Sequence, residues 1–448
     1  MIRAAAIPRP VALGLLCAAV LLTRLPFLGA GYGWHADNWR TALAARHIAE
    51  TGAYEASRFP GYPVQEYACA LFWKSGAWGF NFANALFCTG AAMFFALICI
   101  EYEVEDWWVA GFALAFVPVL YVNSVSAKDF PWALAFLLGS WWCALRKRPV
   151  WTGVLLGLAM GVRITSGAAA LPIALILSDG EENWMALRRV GVTALTAGGI
   201  VAVAFAPVYA RYGTDFFNFY SDHALAGPVE ILKRVSVEVW GVLGTAGICV
   251  AVAAGLVKRA PRVVTQRRLL TWWSVVVIYV VAFLCLPDEA AYLIPAAPFV
   301  LLLVWWGAPR WAFVGCCGVM VLSPFVTLGR NGVEEGLVLT DHRDRVRTDE
   351  SIGNFLQFTT LVSGSNAYIV GSWKPPIDVM TADMPRGDVK FEYLVTAGEL
   401  DQLVKEGWRV WYLGEAMLVF EERVYGFDVR AHGARDVREL RPAQIERH

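Results

Sequence analysis

The chain reads as a mainly α, polytopic transmembrane bundle of about eleven spans, followed by a small soluble α/β domain. Three observations predict this. Of its 448 residues, 57% are hydrophobic and 17% charged, with a mean hydropathy of +0.49; soluble globular chains sit nearer about 45–50% apolar and about 25% charged. Long apolar runs recur through the first three-quarters, many near the length a helix needs to cross a hydrocarbon core of roughly 30 Å. Beyond Arg330 charge becomes frequent and the apolar runs shrink to strand length.

Taken in order, Arg3 and Arg9 precede the first run, 11–29. It is read as an uncleaved span rather than a cleaved signal peptide, because the run is long and no clean small-x-small site precedes the polar stretch behind it. That stretch, the first loop at 30–80, holds Trp34-His-Ala-Asp37-Asn-Trp-Arg40 and Gly61-Tyr-Pro-Val-Gln-Glu66-Tyr67. Further runs lie at 81–100, 107–124, 130–145, 150–162, 163–178, 190–210, 237–257, 271–287, 290–306 and 311–328. Only Gly161-Val-Arg163 interrupts 150–177, so one long helix or two shorter ones fit there. In the tail, strand-length runs stand at 367–370, 409–413 and 417–420, and Thr396-Ala-Gly-Glu399 has capping-box spacing for a helix to about Glu406. The domains expected are therefore 1–330 in the membrane and 331–448 outside it.

Basic residues set the orientation. With a cytoplasmic N-terminus, Arg146-Lys-Arg148, Arg188-Arg189 and Lys258-Arg259 with Arg262, Arg267 and Arg268 fall inside. The first loop, Ser124–Asp129, Arg211–Glu238 and the tail then face outward. Lys233-Arg234 outside and Glu101–Asp106 inside run against this pattern. The localisation predicted is the cytoplasmic membrane, with site and tail extracytoplasmic.

Lys plus Arg equals Asp plus Glu, 38 each, so nothing points to a nucleic-acid partner. All nine cysteines lie in or beside apolar segments, none follows Cys317, and no C-x-x-C pair occurs. Zinc-ribbon and redox motifs are excluded on that spacing. Walker, dinucleotide, His-Glu-x-x-His and nucleophile-elbow motifs are absent as well.

Two acids carry the candidate chemistry. Asp37 opens a helix expected to run to about Glu50 and to end at Gly52. It is either the N-cap or a general base whose pKa is raised by its aromatic, poorly solvated setting. Asp129, just before Phe130-Pro131, is either a helix cap or a second acid on the same membrane face, orienting a cation or an acceptor. Arg40, Arg58, Arg163, Arg211 and Lys233-Arg234 could hold a phosphate on that face. Arg163 carries most weight, because a charge in an apolar run is costly. Tyr62, Glu66 and Tyr292 complete the candidate substrate contacts. Asp222-His223 offers an acid–base or metal group without further ligand spacing. Pro287-Asp288-Glu289 reads as an acidic outer turn.

Together these residues resemble the GT-C superfamily of integral-membrane glycosyltransferases, in the branch of protein mannosyltransferases and aminoarabinose transferases. The similarity rests on His35-Ala-Asp37-Asn-Trp-Arg40, Ala44-Ala-Arg-His-Ile-Ala-Glu-Thr-Gly52 and Phe59-Pro-Gly-Tyr-Pro63. Asp129, Gly157-Leu-Ala-Met-Gly-Val-Arg163 and Tyr292-Leu-Ile-Pro295 support it, and it spans roughly 10–328. The resemblance implies a polyprenyl-phosphate sugar donor and inversion at the anomeric carbon. It implies Asp37 as the base toward a lipid, glycan or protein hydroxyl, Asp129 as the second acid, and Arg163 near the donor phosphate. No cofactor is implied with certainty, and a divalent cation stays open. Two departures stand out: Asn38 follows Asp37 where many relatives have a second acid, and Ala291 precedes Tyr292 where a basic residue is common. The rival reading is a transporter or lipid flippase.

Overall fold

A computed structural model describes residues 8–215, 227–258, 262–329, 332–384, 387–393 and 397–413, with short strands at 423–424, 427–428 and 437–439. Among these, six helical stretches are long and apolar enough to cross a membrane. A bent pair adds a seventh, and four apolar helices are shorter. Together they cover the eleven expected runs.

α1 (Arg9–Arg24) leads to the first loop, which folds as α2 (Ala36–Thr51) and α3 (Pro63–Ala70). α4 (Gly76–Glu101) crosses next. The run at 107–124 is broken into α5 (Trp107–Ala115) and α6 (Pro118–Ser124), bent by 64°. Pro118 starts a new helix there rather than continuing the old one. The carbonyl of Ala115, freed at the break, accepts from the guanidinium of the fully buried Arg24, which lies 3.9 Å from the Tyr121 ring centroid.

α7 (Phe130–Leu145), α8 (Pro149–Val162) and α9 (Ala170–Leu177) follow. Lys147, before α8, donates to the carbonyls of Ile176 and Asp179, at and beyond the end of α9. Those termini therefore meet, α8 and α9 run in opposite directions, and the stretch 150–177 is two helices turning at Arg163 rather than one long one. α8 packs on α10 (Asn183–Tyr212) through Gly153, Gly157 and Gly161. A methyl at the first two would stand 2.7 Å from the Thr193 carbonyl and 2.9 Å from that of Ala197. Such small-residue spacing lets helices approach in lipid, where dispersion rather than water expulsion drives association.

α11 (Pro228–Lys233), α12 (Val239–Val257), α13 (Gln266–Cys285), α14 (Ala297–Gly307) and α15 (Arg310–Leu322) complete the bundle. The last run ends earlier than expected. Ser323-Pro324 stops α15, and β1 (Val326–Gly329) instead pairs antiparallel with β2 (Gly332–Glu335).

The charged side chains sort to two ends. At one, Arg146 pairs with Glu101, Arg189 with Glu181 and Arg310 with Asp106. The acids of Glu101–Asp106, which ran against the basic-inside pattern, therefore neutralise arginines of the same end. At the other end lie α2, α3, the segment before α7, the turn at 287–289 and the tail. There α16 (Leu337–Leu361) leads into a sheet of β3 (Asn366–Ile369), β4 (Val389–Glu392), β5 (Arg409–Leu413) and β6 (Val437–Glu439), ordered β4-β3-β5-β6. β3 is parallel to β4 and β5, while β6 is antiparallel to β5. α17 (Lys374–Met380) and α18 (Ala397–Lys405) connect the parallel strands, and parallel pairing needs such crossovers. The expected strand at 417–420 lies outside the described residues.

Candidate active site

The expected first-loop helix forms, and Gly52 ends it in the left-handed region at φ 71°, its N–H donating to Ile48. A Cβ is disfavoured there. The helix start differs from expectation: His35 is the N-cap and Asp37 sits in the first turn. The Asp37 carboxylate accepts from Arg40 at 3.2 Å and lies 3.7 Å from Arg58. Its pKa moves opposite to the sequence-based expectation. Burial alone would raise it, but Arg58, Lys128, Arg40 and His35 together hold it below 3.8. Aromatic neighbours predicted poor solvation correctly, yet the cations outweigh it.

Asp129 is at the N-cap of α7, as expected, but its side chain makes no capping bond. It is fully buried between two arginines, Arg58 at 2.6 Å on one oxygen and Arg163 at 2.5 Å on the other. Burial would lift this carboxyl, whereas Arg163, Arg58 and Lys128 keep it below its ordinary value. Both oxygens are committed, so Asp129 is placed to hold the arginines. Arg163 gains its position from the break after α8, where it turns extended at φ −142°. It lies over Phe130 and near Tyr292, 4.0 and 5.3 Å from their ring centroids.

Arg58 stands on the loop between α2 and α3, next to the cis Phe59–Pro60 bond. Its Nε donates to the Tyr62 hydroxyl at 3.1 Å. Glu66, fully buried, fixes that loop from beneath. Its carboxylate accepts from the Tyr54 hydroxyl, the Ser57 N–H and hydroxyl, and the Tyr62 N–H, at 2.5 to 3.0 Å. One acid thus ties both flanks of Arg58. Glu66 has no exposure left for a substrate.

Arg211 is exposed at the end of α10 and takes no part in this network among the described residues. His223 lies outside them. Lys128, Glu289 and His35 form an unforeseen group beside Asp37. Lys128 reaches Glu289 at 3.1 Å, and His35 stands 3.8 Å from the same oxygen. Burial and Lys128 push the His35 imidazole below 6.5, although Glu289 and Asp37 pull the other way. His35, Asp37 and Glu289 offer ligand atoms within 4.8 Å of one another, a donor set suited to a hard cation through its carboxylates. The Lys128 ammonium already brings a positive charge to that spot.

The scaffold beneath is polar by design. Asn81 in α4 donates to the carbonyls of Leu28 and Gly31, and Asn84 to those of Asn123 and Lys128. Arg345 of α16, 2% exposed, donates to the carbonyls of Gly31 and Val125 at 3.0 Å each. The loops carrying Asp37 and Asp129 are therefore pegged from two sides. Two Asn residues in an apolar run, Asn81-Phe-Ala-Asn84, were the available signal.

Two spaces flank the site. A cavity of about 650 Å³ opens beside His35, Asn38, Lys128 and Glu289, between the first loop and the starts of α11 and α16. A narrow slot of about 70 Å³ runs from Arg163 down among Phe130, Leu137, Tyr279 and Phe283. The arrangement offers surplus cations above an apolar slot, an ionised carboxylate at the centre, and a polar chamber beyond.

No protein-family model and no curated protein matches the chain. Solved structures do. The crystal structure of ArnT from Cupriavidus metallidurans bound to undecaprenyl phosphate is similar at 14% identity and a TM-score of 0.62, over 92% of this chain and 94% of that one. The apo structure of the same ArnT gives 14% identity and a TM-score of 0.56, over 90% and 93%. The chain thus shares the fold of ArnT over nearly its whole length, in agreement with the fold expected from the first-loop resemblance.

Proposed function

We propose that the chain is an inverting membrane glycosyltransferase, moving a hexosyl or pentosyl group from a polyprenyl-phosphate donor to an acceptor hydroxyl. The site and tail (331–448) would face the extracytoplasmic side of the cytoplasmic membrane. The observation that carries this is the buried Arg58–Asp129–Arg163 network beside Asp37. With Arg40 it sets three guanidinium groups against two carboxylates. That surplus suits a departing phosphate, which Arg binds through paired, charge-assisted bonds. The apolar walls of the slot below Arg163 suit the start of a prenyl chain in character, and the similar ArnT structure holds undecaprenyl phosphate.

In the step proposed, the acceptor oxygen attacks the anomeric carbon from the side opposite the phosphate. The carbon–oxygen bond to phosphate breaks with its electron pair, and polyprenyl phosphate leaves against Arg58 and Arg163. Asp37 takes the hydroxyl proton as the new bond forms, when that proton is most acidic. One displacement gives inversion. Asp129 is a positioning residue for the arginines, and Glu66 for Arg58. A transporter would more readily place ionisable groups at the midplane, whereas these cluster at one end.

The test is sugar transfer in membranes supplied with polyprenyl-phosphate sugars. Asp37→Asn should lower the rate by roughly 10²–10⁴-fold, the range for a lost general base. Wild-type rates from that variant would refute the assignment. Because the Asp37 carboxyl lies below 3.8, its base form is lost only as pH falls through that lower value. Asp37 should therefore contribute no acid limb above about pH 5; a limb there that vanishes in Asp37→Asn would contradict the charge argument.

A further inference from the structure

We infer that the acceptor is an uncharged, hydroxyl-rich molecule, a neutral glycan rather than a phosphorylated one. This rests on the transferase reading and concerns the 650 Å³ cavity lined by His35 and Asn38, the residues on either side of Asp37 in sequence.

Charge separates the two sides. Toward the slot, arginines outnumber acids. In the cavity, three cations, Lys128, Lys233 and Arg234, face six carboxylates among the described residues. Each cation already has a carboxylate of the same cavity. Lys128 takes Glu289 at 3.1 Å, Lys233 takes Glu238 at 3.0 Å, and Arg234 takes Glu230 at 3.1 Å. Arg234 also donates to the carbonyls of Pro287 and Asp288. Of the three remaining acids, Asp288, Glu335 and Asp341, the last two pair with Arg343 and Arg345. No cation is in surplus, so a phosphate entering here would displace a carboxylate from each partner it gained. Like-charge juxtaposition of that kind opposes binding.

What the wall offers instead suits hydroxyls. Asn123, Ser126, Ser323 and Thr340 line it, and Trp34, 63% exposed, stands at the rim as an apolar face for a sugar ring. Asn38 adds an independent observation. It is 1% exposed and lines the cavity; its amide nitrogen donates to the Tyr32 carbonyl at 3.1 Å, while its Oδ1 has no partner among the described residues. A buried acceptor left unmatched calls for a donor, and a sugar hydroxyl is one.

The experiment titrates purified protein with a neutral hexose oligosaccharide and with its monophosphate ester, read by tryptophan fluorescence without turnover. The phosphorylated form should bind at least about ten-fold more weakly. Glu230→Gln combined with Glu238→Gln, which frees Lys233 and Arg234, should narrow that gap. Equal or tighter binding of the ester, or binding of neither, would overturn the inference. The transferase reading fails separately, through the Asp37→Asn transfer assay.

Discussion

Both ends of the bundle are rich in arginine and acid, and they use them in opposite ways. At the end away from the site, charges meet in pairs near water: Arg146 is 48% exposed beside Glu101, and Arg310 is 66% exposed beside Asp106. At the site end, Asp129 has no exposure at all, and its partners Arg58 and Arg163 keep 17% and 12%. Exposed pairs contribute little to stability, whereas a buried network carries a desolvation cost that geometry only partly offsets. Charge kept in so costly a place is better explained by chemistry than by folding.

The strongest way to break the contrast is Asp129→Asn. It removes the carboxylate charge shared by two buried guanidinium groups and should destabilise the protein by about 3–5 kcal/mol, as loss of one partner of a buried pair does. Thermal unfolding in detergent measures it. Arg163→Met on that background should recover part of the loss, because one unpaired charge is gone. Additive losses in the double variant would mean that the two residues are not coupled.

Glu66→Gln comes next. The new amide nitrogen would face hydroxyl and N–H donors in a fully buried site, at a cost of about 1–3 kcal/mol. If the acid serves Arg58 through its loop, KM for the donor should rise more than kcat falls, and Glu66→Asp should restore part of it. A loss of stability with unchanged donor KM would make Glu66 structural only.

The same contrast explains what was legible in the sequence. The bundle announced itself, since lipid demands long apolar runs and allows few polar interruptions. For that reason Arg163 and the helix Ala36–Thr51 stood out, and Gly52 marked an end. The partners of Asp129 were not readable: Arg58 lies 71 positions away in sequence, and only the packing of α3, α7 and α8 brings the charges together. Lys128 and Glu289 were hidden in short loops that resemble ordinary turns. Glu66 reads in sequence as a substrate contact, because an acid in a polar loop looks exposed, whereas the fold buries it completely. The broken run at 107–124 carried its signal in Pro118, whereas the β hairpin after α15 appeared as the apolar end of a span.

The smallest expected effect sharpens the comparison most. Arg146→Ala removes the partner of Glu101 at the far end, where both groups reach solvent. Double-mutant cycles on such pairs give about 0.2–1 kcal/mol, and salt should erase most of it. Sugar transfer should stay at the wild-type rate. Arg58→Ala alters the same residue type at the other end and should abolish donor turnover even where the fold survives. If Arg146→Ala cost transfer activity as Arg58→Ala does, the division into a structural and a chemical end would fail. The site would then have to be sought through the whole length of the bundle.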